Sequence, residues 1–266
     1  MNVPDGPVRR RSALRAGAAL TAALAAGCAD PDAAGPPAKP PTRPAPRKQA
    51  ATTGAHAPAP APHRIPGQPV QIDHGPRDRA RVALTFHGQG DPAVARTVLE
   101  EAERAGARVT VLAVGSWLDE HPGMARRILD GGHDLGNHTQ RHIDISAMDE
   151  PRAYAEITDC AQRLHRLTGS IGTWFRPSRT RYATPLVQRL AVRAGYPHVL
   201  SYDVDSLDFT SPGAAAVTRK VAGEIRNGSV VSMHFGYADT VAALPLLLTE
   251  LDRRHLRAVT TTELLT

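Results

Sequence analysis

Short apolar runs alternate with amphipathic stretches from residue 81 to the end of the chain, and this alternation limits the fold more than any other feature. Seven runs have the length and composition of strands: residues 81–86, 108–114, 133–139, 173–176, 198–204, 229–234 and 257–260. Helical spacing fills most of the intervals: residues 92–105, 122–130, 151–167, 185–194, 214–226 and 241–254. The sequence therefore predicts an α/β fold with about seven parallel strands, either an open sheet or a small barrel.

The first 27 residues have the pattern of a bacterial export signal. Residues 9–15 (RRRSALR) resemble a twin-arginine signal, and residues 16–27 form an apolar segment that is too short to span a membrane. The sequence LAAGC at residues 24–28 resembles a lipobox, with Cys28 as the lipidated first residue of the mature protein. A lipid on Cys28 predicts an extracytoplasmic protein anchored to the cell membrane. If Cys28 is incidental to an ordinary cleavage site, the protein is secreted.

A proline-rich segment follows this signal. Residues 31–69 contain 12 prolines among alanine, threonine and basic residues, without apolar periodicity. Such a segment buries too little apolar surface to fold alone and favours extended conformations. The sequence predicts a disordered tether over residues 28–79 and a folded domain over residues 80–266.

The distribution of charge argues against a nucleic-acid partner. The chain has a formal net charge of +6, but its first 80 residues hold 11 basic and 5 acidic side chains, and the remainder holds 21 of each. The domain that folds is therefore neutral, whereas a nucleic-acid-binding domain presents a basic surface. The two cysteines, Cys28 and Cys160, are too few for a disulfide framework.

Ionisable side chains follow several of the predicted strands. The candidates at these strand ends are His87, Asp91, His138, His142, Arg176, Asp205, Asp208 and His234. The carboxyl ends of parallel strands meet on one side of a sheet or barrel, so these residues are expected to converge. Such a convergence is typical of an active site.

His138 and His142 carry the most specific signal. Two imidazoles four residues apart can chelate a divalent metal, although in isolation the motif more often marks two surface histidines. Here it lies in residues 132–142 (GHDLGNHTQRH), which resemble the second motif of the NodB-type polysaccharide deacetylases, carbohydrate esterase family four. Residues 84–86 (LTF) and 175–177 (FRP) resemble the starts of the first and third motifs of that family.

The resemblance extends from about Val82 to Leu265, with the motifs in family order. Residues 202–209 (YDVDSLDF) and 228–234 (GSVVSMH) resemble the fourth and fifth motifs. The resemblance implies a distorted (β/α) barrel with fewer than eight strands. It also implies metal-dependent removal of acetyl groups from cell-wall or chitin-like glycans.

The family chemistry assigns roles at the matching positions. In this family, two histidines and an aspartate hold the metal, a second carboxylate is the general base, and a histidine is the general acid. The resemblance implies that His138 and His142 are metal ligands and that His234 is the general acid. It further implies that Asp208 sets the pKa of His234 and that Arg176 orients the base.

The first motif departs from the family pattern. His87, Gly88 and Gln89 stand where the family has two aspartates and a glycine, so both carboxylates are missing. The third motif is altered too, with SRT at residues 178–180 in place of Pro-Tyr-Gly. These changes affect the base, one metal ligand and the substrate groove.

Three interpretations of the altered site remain open. In the first, His87 supplies the third metal ligand or a neutral base, and Asp91 or a water completes the set. A histidine pKa of ~6.5 suits a base, and Arg176 would disfavour the protonated form of His87. In the second, metal and base are lost and the protein is a glycan-binding pseudoenzyme. In the third, the barrel catalyses an unrelated hydrolysis.

The first interpretation is favoured because the other residues to which the resemblance assigns a role are present: His138, His142, Arg176, Asp208 and His234. We therefore predict a metal-dependent hydrolase of carbon–nitrogen (non-peptide) bonds that removes acetyl groups from envelope polysaccharide, either peptidoglycan or chitin-like amino sugars. The expected cofactor is a divalent metal, zinc in the first place, with cobalt and nickel as alternatives. The expected partners are the acetylated glycan and the membrane, without nucleic acid, and the protein is expected to be a monomer.

Overall fold

The computed structural model of this chain describes residues 58–266. The strands are β1 (Gln71–Ile72), β2 (Arg81–Gly88), β3 (Thr110–Ala113), β4 (Asp134–Asn137), β5 (Val199–Leu200), β6 (Val204–Asp205), β7 (Val230–His234) and β8 (Arg257–Ala258). The helices are α1 (Pro92–Arg104), α2 (Gly115–Glu120), α3 (Gly123–Asp130), α4 (Glu150–Thr168), α5 (Pro185–Arg193), α6 (Ala214–Glu224), α7 (Ala238–Arg253) and α8 (Thr261–Leu265). The predicted export signal, Cys28 and the tether up to residue 57 lie outside the described residues.

The named strands pair in parallel and curve into a barrel. The main sheet has the order β4-β3-β2-β7-β6, and β8 pairs with the start of β2. Isolated parallel bridges from Asn137 to Phe175 and from Phe175 to Val199 lead from β4 to β5. The chain then runs from β5 into β6, which pairs with β7. The predicted fold class, a distorted (β/α) barrel of parallel strands, is confirmed.

The local sequence explains why these elements form. Strand β2 is hydrogen-bonded on both sides, by β3 and β7, and seven of its eight residues are buried, so most of its residues are apolar. Asp91, Asp149 and Thr184 cap α1, α4 and α5 with their side chains, and each of these helices has proline in its first turn. A capping oxygen followed by proline favours a helix start for two reasons. The oxygen accepts a hydrogen bond from a backbone amide of the first turn, and proline has no amide hydrogen that would be left unpaired.

Two predicted strands do not form as continuous strands. Of residues 173–176, only Phe175 forms strand bridges, and Pro177 has no amide hydrogen with which to extend the ladder. The predicted strand at 198–204 is divided into β5 and β6. The carbonyl groups of Leu200 and Ser201 accept hydrogen bonds from the Arg176 side chain, so they are not available to a neighbouring strand. The short elements β1, α2 and α8 were not anticipated.

Residues 58–79, which the tether prediction included, lie against the barrel. The amide of Ala59 donates to the carbonyl of Thr168, and β1 pairs with β5. Ile65 and Ile72 are buried in an apolar cluster between β5 and the chain terminus. The packed unit therefore begins before residue 80, because the burial of these two apolar side chains stabilises an otherwise polar segment against the barrel. No helix within the described part combines the length and apolar character that crossing a membrane requires.

His198 attaches this segment to the barrel in a manner that depends on pH. Its Nε2 accepts from the amide of Ile65, and its Nδ1 donates to the carbonyl of Pro69, so the ring must be neutral. Burial lowers the pKa of His198 below its ordinary value. A lowered pKa in the folded state means that this attachment is fully present above about pH 6.5 and is lost as pH falls through the folded pKa.

We therefore expect amide hydrogen exchange at residues 65–72, corrected for intrinsic rates, to become less protected between pH 7.5 and 5. The variant His198→Gln removes the titrating ring and should make protection in this segment independent of pH. An unchanged pH dependence in His198→Gln would show that another group controls the attachment.

Candidate active site

The strand ends bring four histidines together at the carboxyl side of the barrel. His87 in β2 lies beside His234, the last residue of β7, in parallel register. His138 follows β4 directly, and its amide donates to the carbonyl of Ala113 at the end of β3. His87, His142 and His234 line an open cleft of about 690 Å³. His138 is fully buried beneath them.

Three of these imidazoles form a compact cluster. The ring centroids of His87 and His138 lie 4.1 Å apart, those of His138 and His142 4.8 Å, and those of His87 and His142 6.3 Å. One nitrogen from each ring lies within 4.8 Å of the other two. The sequence predicted this convergence, and the geometry brings the three rings to one point.

Hydrogen bonding fixes which nitrogen of His138 is available. Its Nδ1 lies 3.0 Å from the carbonyl oxygen of Arg176, which can only accept, so Nδ1 carries the hydrogen. Its Nε2 then bears a lone pair, and this buried atom has no hydrogen-bond partner among residues 58–266. Proteins commonly hold a metal-binding histidine in this way, with one nitrogen oriented by a carbonyl and the other free.

His87 is held from its other side by Arg176. The Nη1 of Arg176 lies 3.3 Å from Nε2 of His87, and a guanidinium can only donate, so the neutral ring carries its hydrogen on Nδ1. That Nδ1 is also buried and unpartnered within the described chain. A buried donor without an acceptor costs about 1–3 kcal/mol. The ring would gain a partner if Nδ1 lost its hydrogen to Nε2 and bound a cation, at the expense of one long contact with Arg176.

Arg176 is a buried cation that forms no ion pair with a carboxylate among residues 58–266. Its side chain donates to Thr85 and to the carbonyls of Leu200 and Ser201, and it lies against the ring of Tyr202. Burial lowers the pKa of Arg176 to about 10, which leaves it charged at neutral pH. The position next to it, where the resemblance expects the aspartate base, is occupied by His87.

The three clustered histidines are neutral at pH 7. Burial, together with the nearby charges of the other histidines and Arg176, lowers the pKa of His87 well below its ordinary value. Burial likewise lowers the pKa of His138. Burial, followed by Arg179 and His234, lowers the pKa of His142 to about 4. Each ring therefore retains a lone pair at neutral pH, as a metal ligand must.

These residues fit a divalent metal. Tetrahedral zinc with bonds of about 2.0–2.1 Å needs ligand nitrogens roughly 3.3 Å apart, so a cluster within 4.8 Å requires only small side-chain rotations. Three neutral imidazoles with an open position are a known catalytic zinc set. The two unpartnered buried nitrogens, on His87 and His138, are the atoms that such an ion would satisfy.

Gly88 offers no side chain to the histidine cluster. A Cβ at Gly88 would lie 3.0 Å from the Cα of Ala113 and 3.0 Å from Cγ1 of Val111, both in β3. A side chain there would require its neighbours in β3 to shift by a few tenths of an ångström. The barrel therefore leaves His87 as the residue of the altered first motif that can contribute to the cluster.

His234 forms a dyad with Asp208. Its Nδ1 donates to Asp208 across 2.7 Å, and the same carboxylate accepts from the amide of His234 and from the hydroxyl of Thr240. Burial alone would raise the pKa of Asp208, but the hydrogen bonds from His234 and Thr240 outweigh it and lower that pKa. Asp208 is therefore ionised, and it holds His234 with Nε2 free to exchange a proton in the cleft.

Strained backbone accompanies the cluster. Thr139, His142 and Arg179 have φ values of 69°, 55° and 56°, in the left-handed region that non-glycine residues rarely adopt. Hydrogen bonds compensate, since the amide of Thr139 donates to Asn137 and its hydroxyl donates to Ser178. Each such residue costs on the order of 1–3 kcal/mol, so the fold holds these loops in position against a preference for other conformations.

Comparison with known proteins identifies the family. The polysaccharide deacetylase profile matches residues 74–199. A peptidoglycan-N-acetylglucosamine deacetylase from Bacillus cereus is 30% identical over 194 residues, which cover 71% of this chain and 90% of the relative. The chain belongs to the polysaccharide deacetylase family. Peptidoglycan-N-acetylglucosamine deacetylase PgdA from Listeria monocytogenes is 28% identical over 197 residues, 73% of this chain, but the chain spans only 41% of that longer protein.

The fold similarity extends to a member of the family described as inactive. A CE4 family pseudoenzyme from Bacillus anthracis superimposes with a TM-score of 0.70 at 22% identity, over 75% of this chain and 70% of that one. The deacetylase barrel is therefore common to an enzyme among the sequence relatives and a pseudoenzyme among the structures. Activity has to be argued from the residues of the site.

One predicted member of the deacetylase site lies elsewhere. Asp91 is exposed and caps α1, where its carboxylate accepts from the amide of Ala93, and it is not among the residues that line the cleft. Gly90, at φ 93° and packed against Gly236, turns the chain away before Asp91 is reached. The expectation that Asp91 completes the altered site is therefore wrong.

Sequence reasoning also missed residues of the cleft. Arg181, Tyr202 and Tyr237 line it, and Tyr237 lies 6.0 Å from His234, measured between ring centroids. Arg181 was detectable only as part of the unusual sequence after Pro177, and Tyr237 only by its closeness to His234 in the chain. Asp205, which was noted at a strand end, lines the cleft as the sole carboxylate among its described lining residues.

Proposed function

We propose that this protein is an active deacetylase that hydrolyses the acetamide of N-acetylated amino sugars in envelope glycan, with a divalent metal held by His87, His138 and His142. The observation that carries the proposal is the cluster of His87, His138 and His142, in which two buried ring nitrogens, one on His87 and one on His138, have no partner within residues 58–266. The printed function of the Bacillus cereus relative supports peptidoglycan as the substrate class.

The metal supplies electrophilic chemistry to this site. A divalent ion on three imidazoles would polarise the acetyl carbonyl and make a water molecule more acidic. Zinc is the ion that three neutral nitrogens with an open position suit best, and cobalt and nickel accept the same set. His142, partly exposed at the cleft, would face the substrate side of the cluster.

His234 is the residue that moves the proton in this proposal. Its free Nε2 takes a proton from the attacking water as the water oxygen bonds to the acetyl carbon. The resulting imidazolium is stabilised by ionised Asp208 across 2.7 Å. It then gives the proton to the acetamide nitrogen as the carbon–nitrogen bond breaks, which yields the free amine and acetic acid, and the acid loses its proton to water to become acetate. One dyad would thus serve as both base and acid, since the family carboxylate base is absent.

A glycan-binding pseudoenzyme is the second candidate. It is favoured by the loss of both first-motif carboxylates and by the hydrogen bond from Arg176 to His87, which competes with metal binding. The dyad argues for the enzyme, because three hydrogen bonds hold Asp208 ionised beneath a histidine whose other nitrogen faces the cleft. Glycan binding alone has no need of that arrangement.

Metal analysis and acetate release separate these candidates. We expect about one equivalent of metal after loading with zinc or cobalt, and acetate release from N-acetylated chito-oligosaccharide and from peptidoglycan. His87→Ala removes one of three ligands, so metal content should fall below half an equivalent and acetate release by about 100-fold or more. Gln89→Ala, a change in the same cleft that leaves the cluster intact, is the matched control. Glycan binding without bound metal, unchanged in His87→Ala, would identify a pseudoenzyme.

A further inference from the structure

The cleft beside the histidine cluster carries an excess of positive charge. Arg141, Arg179 and Arg181 line it, and Asp205 is the sole carboxylate among its described lining residues. Arg141 is already paired, since its Nε donates to the buried carboxylate of Glu156 across 2.6 Å. Arg179 and Arg181 form no ion pair within residues 58–266.

Arg181 is held firmly by groups that do not neutralise it. Its Nε donates to the carbonyl of Tyr202 and its Nη2 to the carbonyl of Asp203. Its guanidinium lies 5.1 Å from the ring centroid of Tyr202 and 5.2 Å from that of Tyr182. The carboxylate of Asp203 is engaged elsewhere, because it accepts from Arg77 at 2.8 Å. Arg181 is therefore oriented by dipoles and rings while its charge stays uncompensated.

Arg179 is fixed in a similar way, nearer to the cluster. Its Nε donates to the carbonyl of His142 across 3.1 Å, and no hydrogen bond of its terminal nitrogens is found within the described chain. Its backbone has a φ of 56°, so the loop that presents it is strained. Guanidinium groups held by one edge present the other edge to carboxylate and phosphate, which they bind through paired hydrogen bonds.

We propose that Arg179 and Arg181 form an oxyanion subsite, which selects glycans that carry a carboxylate or phosphate beside the acetylated sugar. The proposal rests on the proposed function only in that the same cleft receives the glycan. Asp205, which accepts from the amide of Leu207 and from the Tyr202 hydroxyl, does not offset two cations. A neutral chitin-like chain would leave both arginines without an anionic partner. The lactyl carboxylates of a peptidoglycan strand would supply one.

Direct binding measurements test the subsite. The probes are neutral chitotetraose, a tetrasaccharide of alternating N-acetylglucosamine and N-acetylmuramic acid, its carboxyl-reduced derivative, and phosphorylated chitotetraose. We expect an acidic probe to bind about tenfold more tightly than its neutral counterpart at low salt, with the preference decreasing as salt is raised. Preference for the muramic probe identifies a carboxylate source, and preference for the phosphorylated probe identifies a phosphate source.

Variants then assign the preference to the two arginines. Arg179→Gln with Arg181→Gln should reduce the preference to less than about twofold. The double lysine variant, Arg179→Lys with Arg181→Lys, keeps the charge and should retain part of it. Arg189→Gln, an exposed arginine on α5, is the control and should change nothing. Thermal unfolding of each variant confirms that it is folded.

Two outcomes overturn the proposal. Equal affinity of the native protein for acidic and neutral probes does so, as does a preference that survives in the folded double glutamine variant. Acetate release, measured separately on the same probes, tests the proposed function. An acidic preference without acetate release would sink the deacetylase proposal and leave the subsite standing, and acetate release with no acidic preference would do the reverse.

Discussion

His138→Asn is expected to remove the bound metal and to lower the rate of acetate release on the order of 10³-fold. The asparagine amide can still donate to the carbonyl of Arg176, as Nδ1 of His138 does across 3.0 Å. What it lacks is the buried Nε2, the lone pair directed into the histidine cluster. The loop geometry should therefore persist while the ligand is lost. Metal content per protein after zinc or cobalt loading is the decisive measurement, with acetate release as the second.

A matched control distinguishes the cluster from histidine content in general. His165→Asn changes an exposed histidine on α4, and it should keep one equivalent of metal and full activity. Thermal unfolding reports whether His138→Asn remains folded, since the position is fully buried. Retention of metal and acetate release by folded His138→Asn would remove the cluster from the mechanism.

The fold was predictable from the sequence because its strands obey a simple rule. β2 is paired on both sides and buried along seven of its eight residues, so it appears as a mostly apolar run, and β3 and β7 are mostly apolar as well. The starts of α1, α4 and α5 were marked by a capping side chain followed by proline. Two regions were predicted less well. Around Phe175 the strand pairing stops before Pro177, and between β5 and β6 the backbone carbonyl groups accept hydrogen bonds from the Arg176 side chain. The Arg176 side chain and the carbonyl groups that it contacts are distant in sequence, so no local pattern predicts these hydrogen bonds.

The histidine cluster was predictable for the same reason that the barrel was. Parallel strands end on one side, so residues at or just after the ends of β2, β4 and β7 must meet there, and His87, His138 and His234 do. Asp91 broke the rule because three residues separate it from His87, and a glycine at positive φ redirects that short loop. A strand-end position is informative for the last residue of a strand and the first one after it. For residues further along the chain, the geometry of the loop determines whether the side chain reaches the site.

The electrostatics of the site required coordinates. Sequence alone could not show that Arg176 lacks a carboxylate, that Arg179 and Arg181 are held by carbonyl groups, or that Asp203 is paired with Arg77. Each fact depends on which acceptor a long side chain reaches. Together they describe a site with four histidines, uncompensated arginines and few carboxylates. Such a site favours anionic occupants, including the acetate that the proposed reaction releases.

Asp208→Asn is expected to lower kcat by about 10³- to 10⁴-fold while leaving the bound metal in place. In the native chain, the ionised carboxylate accepts from Nδ1 of His234, from the His234 amide and from the Thr240 hydroxyl. An asparagine that turns its amide nitrogen toward His234 would impose the opposite tautomer, with hydrogen on Nε2. The ring would then be unable to take a proton from water in the cleft, and the imidazolium would lose its counter-charge.

The tautomer itself can be observed, which separates this explanation from a general loss of structure. Nitrogen NMR of His234 should show hydrogen on Nδ1 in the native protein and on Nε2 in Asp208→Asn. Thr240→Val removes one hydrogen bond to the same carboxylate but keeps its charge, so its loss of kcat should stay within about tenfold. If Asp208→Asn retains metal, folds and turns over normally, the dyad of Asp208 and His234 does not carry the proton.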